Sequence, residues 1–178
     1  GIVYSDCRVD DARLTILTAM SARDKGATVL TRTRFAGARR ENGVWHAELE
    51  DVRTGARKPV TATAIVNAAG PWVSSVLEGV PHRATGAKVR LVKGSHIVVP
   101  RVHARGHACI RQNTDKRVIF VSPFEGKWSL IGTTDVPVAT PEEAVDITEK
   151  ETDYLIEASN RFLAKPISRA DVVWTFAG

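Results

Sequence analysis

At 178 residues, with 43% hydrophobic and 25% charged side chains, the chain has the composition of an ordinary globular protein, long enough for one domain or two small ones. No apolar run approaches the ~20 residues that cross a bilayer, and Asp6, Arg8, Asp10 and Asp11 interrupt the amino terminus before a signal-peptide core could form. The net charge of +5 rests on scattered lysines and arginines, and only 6% of residues are aromatic, a poor match to a nucleic-acid stacking surface; a plain solvated basic surface and no nucleic acid are expected.

Cys7 and Cys109 are far apart and neither belongs to a CxxC pair, so the expectation is a reducing, cytoplasmic setting. The first element is a helix. Asp10 caps it, Asp11 suits the positive end of its dipole, Leu14, Leu17 and Ser21 share a face, and Lys25 with Gly26 closes it. ATVLTRTRFAGARR then alternates as a strand, ENG turns, and VWHAELEDV alternates again, which predicts a β-hairpin. A further turn in TGARKP leads to TATAIVNAAGPWVSSVLEGV, where a buried strand over 64–68 runs into Gly70 and Pro71 takes the first turn of a helix. Strand, glycine and helix start in that order present backbone N–H groups to an anion. The GxGxxG turn that opens a dinucleotide site occurs nowhere in the chain, which is therefore either no dinucleotide protein or a piece of one.

From about residue 80 the pattern changes. RLVKGSHIVVP, HACIRQ, KRVIFVSPF and WSLIGTTDV are short β-rich runs separated by turn residues, which predicts an antiparallel sheet. A helix is expected at about 147–164, with Tyr154, Leu155, Ala158 and Phe162 as its apolar stripe, and DVVWTFAG is a last strand.

DCRVDDARL, GATVLTRTR, VNAAGPWV, LVKGSHIVVPR, IGTTDV and VVWTFAG, in that order, resemble the middle of the aerobic FAD-dependent glycerol-3-phosphate dehydrogenases, with GSHIVVPR and IGTTD the most specific parts. The resemblance implies an α/β plus α+β fold. Residues 1–79 would be a partial FAD-binding Rossmann-like domain lacking its glycine-rich βαβ unit, and residues 80–178 an antiparallel-sheet substrate domain of the D-amino-acid-oxidase type. It also implies oxidation of sn-glycerol 3-phosphate to dihydroxyacetone phosphate by hydride transfer to FAD, with electrons passing to a membrane quinone. A homodimer on the inner face of the cell membrane follows from the same likeness, as does an inactive central fragment that holds FAD poorly. The rivals are a related FAD-dependent amino-acid or amine oxidase and a noncatalytic basic binding module.

The site expectations each have a plainer alternative. In a strand over Leu91–Val99, His96 and Val98 share one face and Ser95, Ile97 and Val99 the other; by pattern alone His96 is a hydrogen-bonded core histidine. The resemblance instead makes His96 the general base or hydroxyl ligand, because loss of the hydroxyl proton assists loss of hydride. It places Lys93, Gly94, Ser95, Thr133 and Thr134 around the substrate. Lys93 could equally be a solvated surface residue, Gly94 a strand kink, and Thr133 and Thr134 a polar turn. For the cofactor the resemblance implies Ala69, Gly70, Pro71 and Trp72 near the pyrophosphate or ribityl chain and a backbone group of Phe35 near the adenine; a glycine needed for steric reasons alone is the alternative at Gly70. His103, His107 and Cys109 have a spacing that suggests metal, but no carboxylate or second cysteine joins them and none is expected.

Overall fold

The computed structural model describes residues 1–80 and 89–178; the expected division after residue 79 adjoins residues 81–88, which lie outside that set. Two compact units form, Gly1–Asn67 with Ser75–Arg83, and Ala68–Ser74 with Ala84–Gly178.

In the first unit, helix α1 (Asp11–Asp24) is capped by Asp10, whose side chain accepts from the backbone N–H of Arg13 at 3.0 Å. It ends where the Lys25 N–H bonds back to Ser21 and Ala22 and Gly26 takes a positive φ of 92°. Its apolar stripe, with Leu14 and Leu17, is exposed and buries nothing within the described residues. The hairpin forms as β1 (Thr33–Glu41) and β2 (Val44–Asp51) around Asn42 and Gly43, both at positive φ, as a tight primed turn requires. ATVL stays outside β1.

Two sequence expectations fail in this unit and at its border. TGARKP is more than a turn, because Arg57–Ala62 forms a third strand, β3, antiparallel to β2. Pro59 is tolerated there because β3 is an edge strand with one unpaired side. The buried strand over 64–68 does not form, and Val66 is 87% exposed. A strand needs a neighbour for its N–H and C=O groups, and none of the described strands pairs with this segment.

The second unit holds a 3₁₀ turn (Gly70–Trp72) leading into α2 (Val73–Glu78), of which only the first two residues belong to this unit. Then follow β4 (Leu91–Lys93), β5 (Ser95–Pro100), β6 (Cys109–Gln112), β7 (Val118–Phe124), β8 (Trp128–Gly132), β9 (Val136–Val138), α3 (Glu149–Asn160) and β10 (Trp174–Ala177). The main sheet runs β10-β5-β8-β7-β6, antiparallel at each step, and β4 pairs separately with β9.

The expected single strand over Leu91–Val99 is thus two strands in two sheets, broken at Gly94. The backbone there is claimed by another partner, since the Gly94 N–H donates to the Gly178 carbonyl at 2.8 Å and Gly178 donates back at 3.1 Å. A Cβ on Gly94 would also overlap the Thr133 hydroxyl.

Helix α3 is shorter than 147–164 and opens with a capping box between Thr148 and Glu151. It covers one face of the main sheet, where Leu155 and Ala158 close over Ile97, Val99, Ile119, Val121 and Ile131. The other face carries His96, Val98, Phe176 and Phe120.

Candidate active site

Alternation along β5 sends Ser95, Ile97 and Val99 towards α3 and His96 and Val98 to the opposite face. The His96 imidazole occupies a slot made by its two neighbouring strands. On β8 it pairs with Gly132, and a Cβ there would overlap its ring. On β10 it pairs with Phe176, whose ring stacks on it at 4.8 Å between centroids and 7° between planes.

His96 Nδ1 is buried and has no hydrogen-bond partner. The hydrogen-bonded core histidine suggested by pattern alone is therefore corrected to a half-buried ring with one unpaired nitrogen. Such an atom costs about 1–3 kcal/mol. Burial also pushes the imidazole below its ordinary pKa of 6.5, so at pH 7 it is neutral and able to accept a proton.

Behind β5 lies a polar cluster centred on Glu151. One carboxylate oxygen accepts from the Ser95 hydroxyl at 2.7 Å and the Thr134 hydroxyl at 3.1 Å. The other accepts from Lys93 Nζ at 2.8 Å and from the Thr148 hydroxyl and N–H at 2.7 and 2.9 Å. The Ser95 N–H donates to the Thr134 hydroxyl at 2.9 Å. Burial would raise the Glu151 pKa, but the hydrogen bonds from Lys93, Ser95 and Thr148 outweigh it and hold the carboxyl at about 2.

Lys93 is only 4% exposed, which corrects the solvated-surface reading. Its ammonium is further held by the Asp146 carbonyl at 3.0 Å. The side chains of Lys93, Ser95 and Thr134, expected around the substrate, are hydrogen-bonded to Glu151 behind the strand that carries His96. Glu151 was missed as a site residue. Its signal was present in the sequence as Thr148-x-x-Glu151, a helix-opening pattern that says nothing of a buried partner.

Gly94 and Thr133 touch each other at the break between β4 and β5, and Thr133 and Thr134 lie in the connection from β8 to β9. Phe35 sits half buried in β1 of the first unit, where the register shifts before Gly37. At 69–72 the Trp72 N–H donates to the Ala69 carbonyl at 3.0 Å, and Pro71 occupies the turn's start as expected. The His103 and His107 rings stack at 5.4 Å on the α3 side of the sheet, where they line a cavity of about 270 Å³ with Cys109 and Ser159. No group of three metal-ligating side chains occurs among the described residues.

The candidate site is thus a half-buried imidazole on one sheet face, backed by a buried carboxylate on the other. All of residues 1–178 match the family described as FAD dependent oxidoreductase. The chain belongs to the FAD dependent oxidoreductase family. Among similar family members, the aerobic glycerol-3-phosphate dehydrogenase of Escherichia coli (strain K12) is 49% identical, and the D-erythritol 1-phosphate dehydrogenase of Brucella abortus (strain 2308) is 50% identical. Both matches cover 100% of this chain and 36% of the relative, so the chain spans about a third of their length. The crystal structure of a Bacillus halodurans glycerol-3-phosphate dehydrogenase complexed with FAD superposes with a TM-score of 0.84 at 31% identity, over 96% of this chain and 35% of that one. The fold is accordingly of the D-amino-acid-oxidase type, with mixed helix and antiparallel sheet.

FAD is the family's cofactor. The turn at 69–72 fits its close approach, because Gly70 has a φ of 53° and open space where a Cβ would point.

Proposed function

We propose that the chain is part of a flavoenzyme that oxidises sn-glycerol 3-phosphate to dihydroxyacetone phosphate, with electrons passing on to a membrane quinone. The observation that carries this reading is the neutral His96 imidazole, held between Gly132 and Phe176 with Nδ1 unpaired. His96 takes the proton of the substrate's C2 hydroxyl, and the growing alkoxide character weakens the C2–H bond. When bound, FAD supplies the acceptor for the hydride from C2, leaving a ketone. Gly94 and Thr133 border the substrate, while Ala69, Gly70, Pro71, Trp72 and Phe35 serve the cofactor. Lys93 is neutralised by Glu151, so the phosphate dianion draws its cations from other groups.

The names of the relatives support this substrate, and D-erythritol 1-phosphate is a second reading because a dehydrogenase of that name is 50% identical over the whole chain. The two share a secondary alcohol in a phosphorylated polyol, so His96 would do the same work on either. A homodimer at the inner face of the membrane rests on the family likeness, and no described helix is long and apolar enough to cross a bilayer.

The test is anaerobic. The full-length, FAD-loaded protein containing this chain is mixed with each phosphate ester, and the oxidised-flavin absorbance near ~450 nm is followed. Bleaching by glycerol 3-phosphate is expected. Bleaching by D-erythritol 1-phosphate alone would move the second reading to the front, and bleaching only by glycine or sarcosine would return the amine-oxidase alternative.

A further inference from the structure

We infer that Glu151 is a positioning residue for the reaction: a single buried carboxylate holds both the strand that carries His96 and the segment that follows Gly132, one wall of its slot. The inference rests on the proposed role of His96 but makes a separate claim about its placement.

One segment is the start of β5. The Ser95 hydroxyl donates to Glu151, and Ser95 directly precedes His96. The other is the connection that follows β8, where the Thr134 hydroxyl donates to the same oxygen. Thr134 lies two residues after Gly132, whose missing side chain is the space the imidazole fills. The Ser95 N–H to the Thr134 hydroxyl closes the triangle. Three bonds thus lock β5 against the β8 connection, immediately beside the His96–Gly132 pair.

The carboxylate is itself held firmly. It is anchored in the first turn of α3 through Thr148, and Lys93 neutralises its charge, so the cluster carries no net charge into the interior. A buried ion pair is weak evidence for stability, because replacing it with apolar groups is often neutral or better. What this one supplies that an apolar patch would not is direction. It adds side-chain ties at one point to two chain segments whose backbones already pair at His96 and Gly132, and a small misplacement of a catalytic base is costly.

The alternative is a purely structural cluster, and the two differ in what they predict for the imidazole. The groups flanking the ring, Gly132 on β8 and Phe176 on β10, are uncharged, while Lys93 and Glu151 lie behind β5. Burial is the cause of the lowered His96 pKa, so loosening the slot admits water and lets it rise towards 6.5.

The experiment uses the full-length holoenzyme and two variants. Ser95→Ala removes one hydroxyl and leaves the Glu151–Lys93 pair; Glu151→Asp keeps the charge but shortens the reach. Histidine side-chain NMR, with His96 assigned by its loss in His96→Gln, follows the titration without substrate, and stopped-flow absorbance follows flavin reduction. Expected in both variants are an upward shift of the His96 midpoint and a fall of roughly 10- to 100-fold in flavin reduction, with KM changing far less. A wild-type midpoint and wild-type reduction rate in Ser95→Ala, even with a lowered Tm, would overturn the inference. If Glu151→Asp fails to fold, Ser95→Ala decides alone. Should no polyol phosphate reduce the wild-type flavin, the proposed function falls, and the substrate-free titration still decides the positioning claim.

Discussion

At the scale of single residues, the proposed chemistry rests on His96. Truncating it to alanine in the intact flavoenzyme is expected to slow flavin reduction by roughly 10²- to 10⁴-fold, the usual worth of a positioned base, as read by anaerobic stopped flow. The sign of its pH dependence follows from burial. A base must be unprotonated to act, and the folded-state pKa lies below 6.5, so reduction should persist below pH 6.5 and fail only as pH drops through the lowered value. Stability follows the same direction: the contribution from His96 is present above 6.5 and is lost as pH falls through the folded-state pKa. A pH–rate profile with its acid limb above 6.5 would contradict the assignment. Gly132 is the complementary test. In Gly132→Ala the new Cβ competes with the imidazole for one volume, so a cost of about 1–3 kcal/mol in thermal unfolding and a loss of flavin reduction close to that of His96→Ala are expected.

Helix α3 does two jobs at the scale of elements. Its first turn carries Glu151 to the back of β5, and its later turns close the core through Leu155 and Ala158. Leu155 is fully buried, so Leu155→Ala should cost about 2–5 kcal/mol, visible as a lower Tm of the intact protein. Because Leu155 sits one turn beyond Glu151, the rate of flavin reduction in molecules that remain folded should change much less than in Ser95→Ala. The break at Gly94 shows why element boundaries were hard to read. LVKGSHIVV alternates well enough for one strand, but the backbone at Gly94 is taken by Gly178, far away in sequence. The absent strand over 64–68 has the converse cause, since an apolar run carries strand propensity yet none of the described strands pairs with it.

For the whole molecule, the 178 residues have the positive-φ turn at Gly70 proposed for the cofactor but contain no GxGxxG sequence, the main cradle of a dinucleotide pyrophosphate. A polypeptide of these residues alone should therefore bind FAD weakly and turn over nothing, and a stoichiometrically yellow preparation would refute this. The exposed Leu14, Leu17, Met20 and Val66 in the first unit should also make that polypeptide bind hydrophobic dyes. The sequence by itself determined what depends on neighbours along the chain: the Asp10 cap of α1, the Asn42-Gly43 turn, the β-rich character of the second half, and, through its motifs, the flavoenzyme family. Only the tertiary structure decided which strands pair, that Lys93 is buried against Glu151, and that Gly132 and Phe176 shape the slot for His96. Those relations join residues as far apart as Ser95 and Ala177, and a one-dimensional pattern records the preference of each residue without recording which partner it meets.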